Sequence, residues 1–335
     1  QNVNLLTYGL YPTGTSALPP VLPVDSLGEH NADLLIKYRF PYLNQNQLNA
    51  VLLSTELNSG GPFDNQTSGT STIFGWDRIN LYAASGGYGA FNDYSSQGVP
   101  GGDTVTVTMD KSLGGFNAFD IWSNNISGTG GLTKQGTGEL VLAGNSTYAG
   151  PTNVEGGILD VTGSITSHVN VSQGATLGLY GTASTGTLVN GGAVTLGGAS
   201  QPAQATVNGD FTQSSTGVMN AYALSDTNYS KLTATGTATL AGTLNYNITN
   251  MSGLLGSGRV LTFDVVTANS GTLTGNFSKV NVDSYVYQGV TQDPPAVMVA
   301  TVSVNPTAIT SAASVNNNVA GAGSANVLDG WMSST

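Results

Sequence analysis

The chain has 335 residues, of which 46 are Gly, 2 are His and none is Cys; 8 Lys+Arg face 19 Asp+Glu, for a formal net charge of −11. The lack of Cys excludes a disulfide framework, a thiolate zinc site, an iron–sulfur cluster and a cysteine nucleophile, and it suits an extracellular bacterial protein. Eight scattered cations cannot build a phosphate-binding stripe, which argues against nucleic acid or an anionic membrane as the main partner.

Charged residues make up only 8% of the chain. Low charge with many Val, Thr and Leu does not match acid-rich disorder. It suits a solenoid with small polar turns around a narrow aliphatic core. No apolar run approaches the ~18 residues of a membrane span. Gln1 opens the chain with no basic n-region or apolar h-region, so a processed product or a fragment is expected.

Residues 1–98 read as a small α+β region. Pro12, Pro19, Pro20, Pro23 and Pro41 divide its start into extended pieces and turns. Glu29 to Tyr38 fits a short helix or a strand. Asn44 followed by Gln47 and then Leu48, Val51, Leu52 and Leu53 predicts a capping box and a helix ending near Asn58. Gly75 to Ala84 predicts a second short helix, closed by Gly86 and Gly87.

From about Val99 the texture changes to short β-rich runs between Gly, Asn and Ser clusters. The runs are Thr104–Met109, Glu139–Leu142, Thr152–Val154, Ile158–Val161, Val169–Val171, Thr176–Leu179, Ala193–Leu196, Ala205–Val207, Lys231–Thr233, Ala238–Tyr246 and Arg259–Val266. Such short strands suit a parallel β-helix better than a sandwich with its longer strands. The expected β-helix covers 99–305. Asn305-Pro306 breaks the pattern, and 306–335 reads as a flexible tail or linker.

Residues 131–161 carry the most specific signal. Gly131, Leu132, Thr133, Lys134, Gly136, Gly138, Leu140, Leu142, Gly144, Tyr148, Gly150, Thr152, Val154, Gly157, Leu159 and Val161 follow one spacing. That spacing resembles the autotransporter-associated β-strand repeat, and departs from it at Ser146, where the Asn stands one place early at Asn145. The resemblance implies a right-handed parallel β-helix in the passenger part of a secreted bacterial protein. The residues agree on their own terms: Leu140 with Leu142, Thr152 with Val154 and Leu159 with Val161 each share one strand face. Lys134 reads as a solvated turn position.

A second resemblance covers roughly 1–120. Leu5 to Leu10, Tyr38 to Asn44, Val51 to Thr55, Gly75 to Ala84, Gly87 to Phe91, Val105 to Asp110 and Gly114 to Asn117 resemble the segment that follows the catalytic domain in autotransporter-type acid phosphatases. These belong to the phosphatidic acid phosphatase type 2 and haloperoxidase superfamily. The family's Lys-x6-Arg-Pro, Pro-Ser-Gly-His and Ser-Arg-x5-His-x3-Asp motifs are absent here, so no catalytic residue is carried over. Subtilisin-like autotransporter proteases are the rival. Ser68 to Ser71 echoes their Gly-Thr-Ser nucleophile motif, but Thr72-Ile-Phe-Gly-Trp76 follows instead of a long helix, and a polar loop is the better reading.

The remaining chemistry is sparse. His30 beside Glu29 and Asp33 fits a surface helix, and His168 fits a solvent-facing rung edge. Asn125, Asn145 and Asn247 open glycosylation-type sequons that an Asn/Thr-rich chain produces by chance. Tyr82, Tyr88, Tyr94 and Trp122 gather near the start of the β-rich part, where packing that caps the first rung is expected. No catalytic, cofactor-binding or metal-ligating residue is assigned, and no cofactor is expected.

The expected function is a non-catalytic passenger stalk at the cell surface, with an acid phosphatase as the implied parent. Its expected partner is the outer-membrane translocation barrel of its own precursor. The alternatives are a structural adhesin, a filament or surface-layer subunit that self-associates through β-helix ends or sides, and an enzyme acting on polysaccharide.

Overall fold

A computed structural model describes residues 35–56, 79–95, 99, 101, 103–225, 227–248, 260–269, 272–283, 287–291 and 297–304. The pairs and clusters expected at Glu29, His30 and Asp33 and at Ser68 to Ser71 lie outside these residues, as does the 306–335 tail. The fold is mostly β, with parallel strands in stacked sheets that are consistent with the expected β-helix. By internal packing the chain divides into two compact units, Gln1–Gly150 and Pro151–Thr335.

The first unit opens with a helical turn over 35–39 and helix α1, Gln45–Ser54. Asn44 accepts from the Gln47 amide while the Gln47 side chain accepts from the Asn44 amide, so the predicted capping box is present. The helix ends at Ser54, short of the expected Asn58, and buries Leu48, Ala50, Val51 and Leu52. Of the second predicted helix, Leu81–Ala84 is helical and Asn80 caps it.

Two β layers follow. Thr104–Met109 pairs in parallel with Gly131–Gly136, and Phe119–Trp122 pairs in parallel with Glu139–Leu142. Ala90–Phe91 pairs with Ser127–Gly128, and the amides of Ser123, Ser127 and Gly130 bond back to Gly86, Gly89 and Phe91 carbonyls. The segment 86–91 therefore lies along the first rung and covers its edge. Along Thr104–Met109, burial alternates strictly, with Val105, Val107 and Met109 inward.

In the second unit each rung contributes one strand to each of three sheets. The first sheet stacks Thr152–Val154, Val169–Val171, Leu188–Asn190, Phe211–Gln213, Ala238–Leu240 and Leu273–Gly275. The second stacks Ile158–Val161, Thr176–Leu179, Ala193–Gly198, Val218–Ala223, Thr243–Ile248 and Lys279–Asp283. The third runs through Ser164–Ile165, Ser184–Thr185, Gln204–Val207, Lys231–Ala234 and Val260–Ala268. Rungs start at Thr152, Val169, Leu188, Phe211, Ala238 and Leu273, so the interval widens at every rung.

Inward residues form columns. Leu159, Leu177, Val194, Met219 and Leu244 stand in register and are fully buried. Bulk is balanced within a column: the large Phe211 is followed by Ala238. The third sheet ends differently. Val297–Val304 pairs antiparallel with Val260–Ala268, and Tyr287–Thr291 pairs antiparallel with it in turn. The predicted strand Ala238–Tyr246 is broken into Ala238–Leu240 and Thr243–Ile248, with Gly242 at φ +68 between them. A corner falls inside what reads as one apolar run.

Candidate functional site

Among the described residues three arrangements draw polar side chains together, each built by the elements around it. The first joins the helical start of the first unit to its first rung. Asp120 points inward from Phe119–Trp122 and is almost fully buried. Arg39 reaches it with Nη1 at 2.6 Å from Oδ2, and Tyr42 donates its hydroxyl to the same oxygen at 2.5 Å. The Trp122 indole N–H donates to the Tyr42 hydroxyl at 2.9 Å. The Arg39 guanidinium lies 4.5 Å from the Phe40 ring centre and 4.3 Å from that of Phe116.

Burial raises the Asp120 carboxyl above its usual range, against the pull of Tyr42 and Arg39. Burial also pushes the Tyr42 hydroxyl well above its ordinary value, helped by the facing Asp120. The ion pair and the hydrogen bonds close on one another across the helical start and the first rung, so the arrangement is a lock. Around it Phe40, Trp122, Tyr88, Phe91 and Tyr148 pack edge to face or tilted, with neighbouring centres 4.9–6.5 Å apart. Tyr88 and Trp122 thus do the expected covering work. Tyr82 does not: it is 92% exposed. Tyr94 is half-buried, bridges to Val99 through its backbone, and helps burial to raise the Tyr88 hydroxyl pKa.

The second arrangement is at a turn. Lys134 was expected in solvent but lies fully buried in Gly131–Gly136, opposite Val107. Its ammonium donates to the carbonyls of Gln135 at 2.9 Å and Gly138 at 2.8 Å. The chain turns between those two residues, and the side chain curls back to satisfy carbonyls that the corner strips of strand partners. Burial lowers its pKa from 10.5 to about 8. In the second unit Gln213 does the same work, donating to the carbonyls of Gly217, Ala241 and Thr243. Asn190, in register with it, donates to Gln213 and to the Val218 carbonyl.

The third arrangement is an outward ladder on the second sheet of the second unit. Thr195, Asn220, Asn245 and Asn281 stand in register. Each Asn amide donates to the residue in the rung before: Asn220 to Thr195 at 3.1 Å, Asn245 to Asn220 at 2.8 Å and Asn281 to Asn245 at 2.8 Å. A shorter ladder runs from Asn170 to Asn153 on the first sheet. His168 sits at an exposed rung edge, as expected, and shares a hydrogen bond with Asn170.

Among the described residues no group of three or more His, Asp or Glu comes together. No described helix is long and apolar enough to cross a membrane, which says nothing of strands. An open cleft of about 520 Å³ is lined by Lys37, Tyr38, Pro41, Leu113, Phe116 and their neighbours. It holds no carboxylate, and the Lys37 ammonium is spent on the Leu43 carbonyl at 2.5 Å.

The family model described as Passenger-associated-transport-repeat matches residues 132–161. An extracellular serine protease of Serratia marcescens is 36% identical over 169 residues, covering 44% of this chain and 16% of that protein. The autotransporter lipoprotein NalP of Neisseria meningitidis serogroup B is 33% identical over 162 residues, covering 48% of this chain and 13% of that protein. The adhesin BmaC autotransporter of Brucella suis biovar 1 is 37% identical over 101 residues, 28% of this chain and 3% of that protein. The chain thus spans less than a fifth of the length of these relatives. It carries a passenger-associated transport repeat and is homologous to autotransporter passengers, which are secreted or exposed at the bacterial surface.

Proposed function

We propose that this chain is the non-catalytic β-helical stalk of a secreted or surface-displayed passenger, whose precursor carries an outer-membrane translocation barrel. The observation that carries the reading is how the polar groups are spent. Buried donors tie turn carbonyls, outward amides bond one another, and the ion pair of Arg39 with the buried Asp120 carboxylate locks a cap onto a rung. A reaction centre needs polar groups aimed at a shared empty point, and these are aimed at each other. We assign 1–98 to the cap, 99–305 to the β-helix and 306–335 to the linker toward the barrel.

The stalk would display a hydrolytic domain encoded elsewhere in the parent. The resemblance of residues 1–120 favours an acid phosphatase. Two relatives named as serine proteases favour a protease that uses the same kind of stalk. The similarity to a protein named as an adhesin supports a second reading, a structural surface protein that self-associates through β-helix ends or sides.

The test is the intact mass and N-terminal sequence of the native protein from cells, followed by phosphatase and protease assays on it. A larger protein with either activity, and no turnover by residues 1–335 alone, supports the stalk. Turnover by residues 1–335 alone overturns it. A native protein without either activity that forms regular polymers favours the structural reading.

A further inference from the structure

The sequence contains two Asn-Gly pairs, Asn190-Gly191 and Asn208-Gly209. Both share one liability. Glycine leaves the following amide nitrogen unhindered, so that nitrogen can attack the asparagine carboxamide. The fold treats the two differently. Asn190 ends the strand Leu188–Asn190, is fully buried, and its amide donates to Gln213 and to the Val218 carbonyl, each at 3.0 Å. The Gly191 amide is held by the Val171 carbonyl.

Asn208 occupies the turn between Gln204–Val207 and Phe211–Gln213, and it is exposed. Its carboxamide makes no hydrogen bond among the described residues. The Gly209 amide reaches only the Val207 carbonyl, at 3.0 Å, and shares that acceptor with the Thr235 amide. Such a tight three-residue turn is a weak restraint. The corner also demands the glycine. Gly209 has φ +146, and a Cβ there would lie 2.6 Å from Thr187 Oγ1. The geometry fixes Gly209 without calling for an asparagine before it.

We propose that Asn208 is a site of spontaneous modification to aspartate and isoaspartate in the folded protein. The Gly209 amide nitrogen bonds to Asn208 Cγ and gives its proton to solvent, and the carboxamide nitrogen leaves as ammonia. Water then adds to either carbonyl of the cyclic imide and opens it. One water enters and one ammonia leaves, with no redox change. The product places a carboxylate two residues from Asp210, whose own pKa is lowered by hydrogen bonds from the Thr237 amide and hydroxyl. Isoaspartate also lengthens the backbone at a corner where the Gly236 amide bonds to the Gly209 carbonyl at 2.9 Å. Ageing therefore loosens this corner.

The experiment is prolonged incubation of the folded chain at mildly alkaline pH, followed by peptide mass mapping and labelling with a protein isoaspartyl methyltransferase. The Asn208 peptide gains the mass of an NH₂-to-OH exchange and becomes a methyl acceptor. It does so at least about tenfold faster than the Asn190 peptide, which reacts only through local opening. Asn208→Gln, a surface change, abolishes both signals. Equal rates at the two sites, or an intact Asn208 where a denatured sample reacts at both, would overturn the proposal. So would a signal in that peptide that survives Asn208→Gln.

Discussion

Lys134→Met separates the charge of the buried lysine from its hydrogen bonds. The side chain is fully buried and its pKa falls to about 8. In the unfolded chain a lysine holds its proton until about 10.4. Below pH 8 both states are charged, and the fold bears the full cost of a buried ammonium. Between those two values the unfolded chain binds more protons than the fold, so stability rises with pH. Above the unfolded value the cost is gone. At about 1.36 kcal/mol per unit, the whole shift corresponds to roughly 3 kcal/mol. Methionine escapes that cost but strands the Gln135 and Gly138 carbonyls, at about 1–3 kcal/mol each. Near neutrality the two effects offset, and the variant should lie within a few kcal/mol of the parent. By pH 10 most of the ammonium cost is gone and the lost hydrogen bonds dominate, so the variant should have fallen further behind by about 2–3 kcal/mol. Denaturant unfolding followed by tryptophan fluorescence, at pH steps from 7 to 10, gives the difference between the two proteins. Other titrating groups, including the buried tyrosines, cancel in that difference. A difference that stays flat across the range would refute the reasoning.

The remaining substitutions probe the cap, the corners and the ladder. Gly144→Ala puts a Cβ 2.1 Å from the Asn124 carbonyl oxygen, a backbone atom of the neighbouring rung. A loss of more than about 3 kcal/mol, or failure to fold, should appear in thermal melting. Tyr88→Ala removes a buried ring and should cost about 3–5 kcal/mol. Tyr82→Ala, at an exposed ring, should stay within about 0.5 kcal/mol, and equal effects would place the cap elsewhere. Asn220→Asp and Asn245→Asp should each be tolerated, because either carboxylate can accept from a neighbouring amide. Together they put like charges in adjacent rungs, so a double-mutant cycle should show an extra cost of about 1–3 kcal/mol that salt relieves.

Local signals were readable where the cause was local. Asn44 and Gln47 announce the start of α1 because a capping box needs only residues three apart. Short strands such as Thr176–Leu179 announce themselves through inward aliphatics and flanking turns. Ala238–Tyr246 was misread because its apolar alternation runs on through a corner, and Gly242 was its sole sign. The Arg39–Asp120 lock joins residues 81 apart in sequence, a distance that no spacing rule reaches. Lys134 was misplaced for another reason. A lysine in a polar repeat looks solvated, and only the fold shows that the turn behind it needs a donor.

The low charge of the chain has a structural cause that precedes any question of partners. Outward positions in a parallel stack stand directly over one another, about 4.8 Å apart. Like charges at that spacing repel by ~0.9 kcal/mol in water and by ~3.5 kcal/mol at an effective dielectric of 20. A charged side chain repeated over several rungs accumulates that cost. An amide does not, because each one carries both a donor and an acceptor and can bond the next, as Asn220, Asn245 and Asn281 do. Among the described residues of the second unit, Lys231 and Asp264 meet as opposite charges, 3.8 Å apart. The same register therefore explains both the 8% charged residues and the wealth of Asn and Thr. Few cations is what a stack of this kind selects, and that scarcity bears on architecture before it bears on what the protein binds.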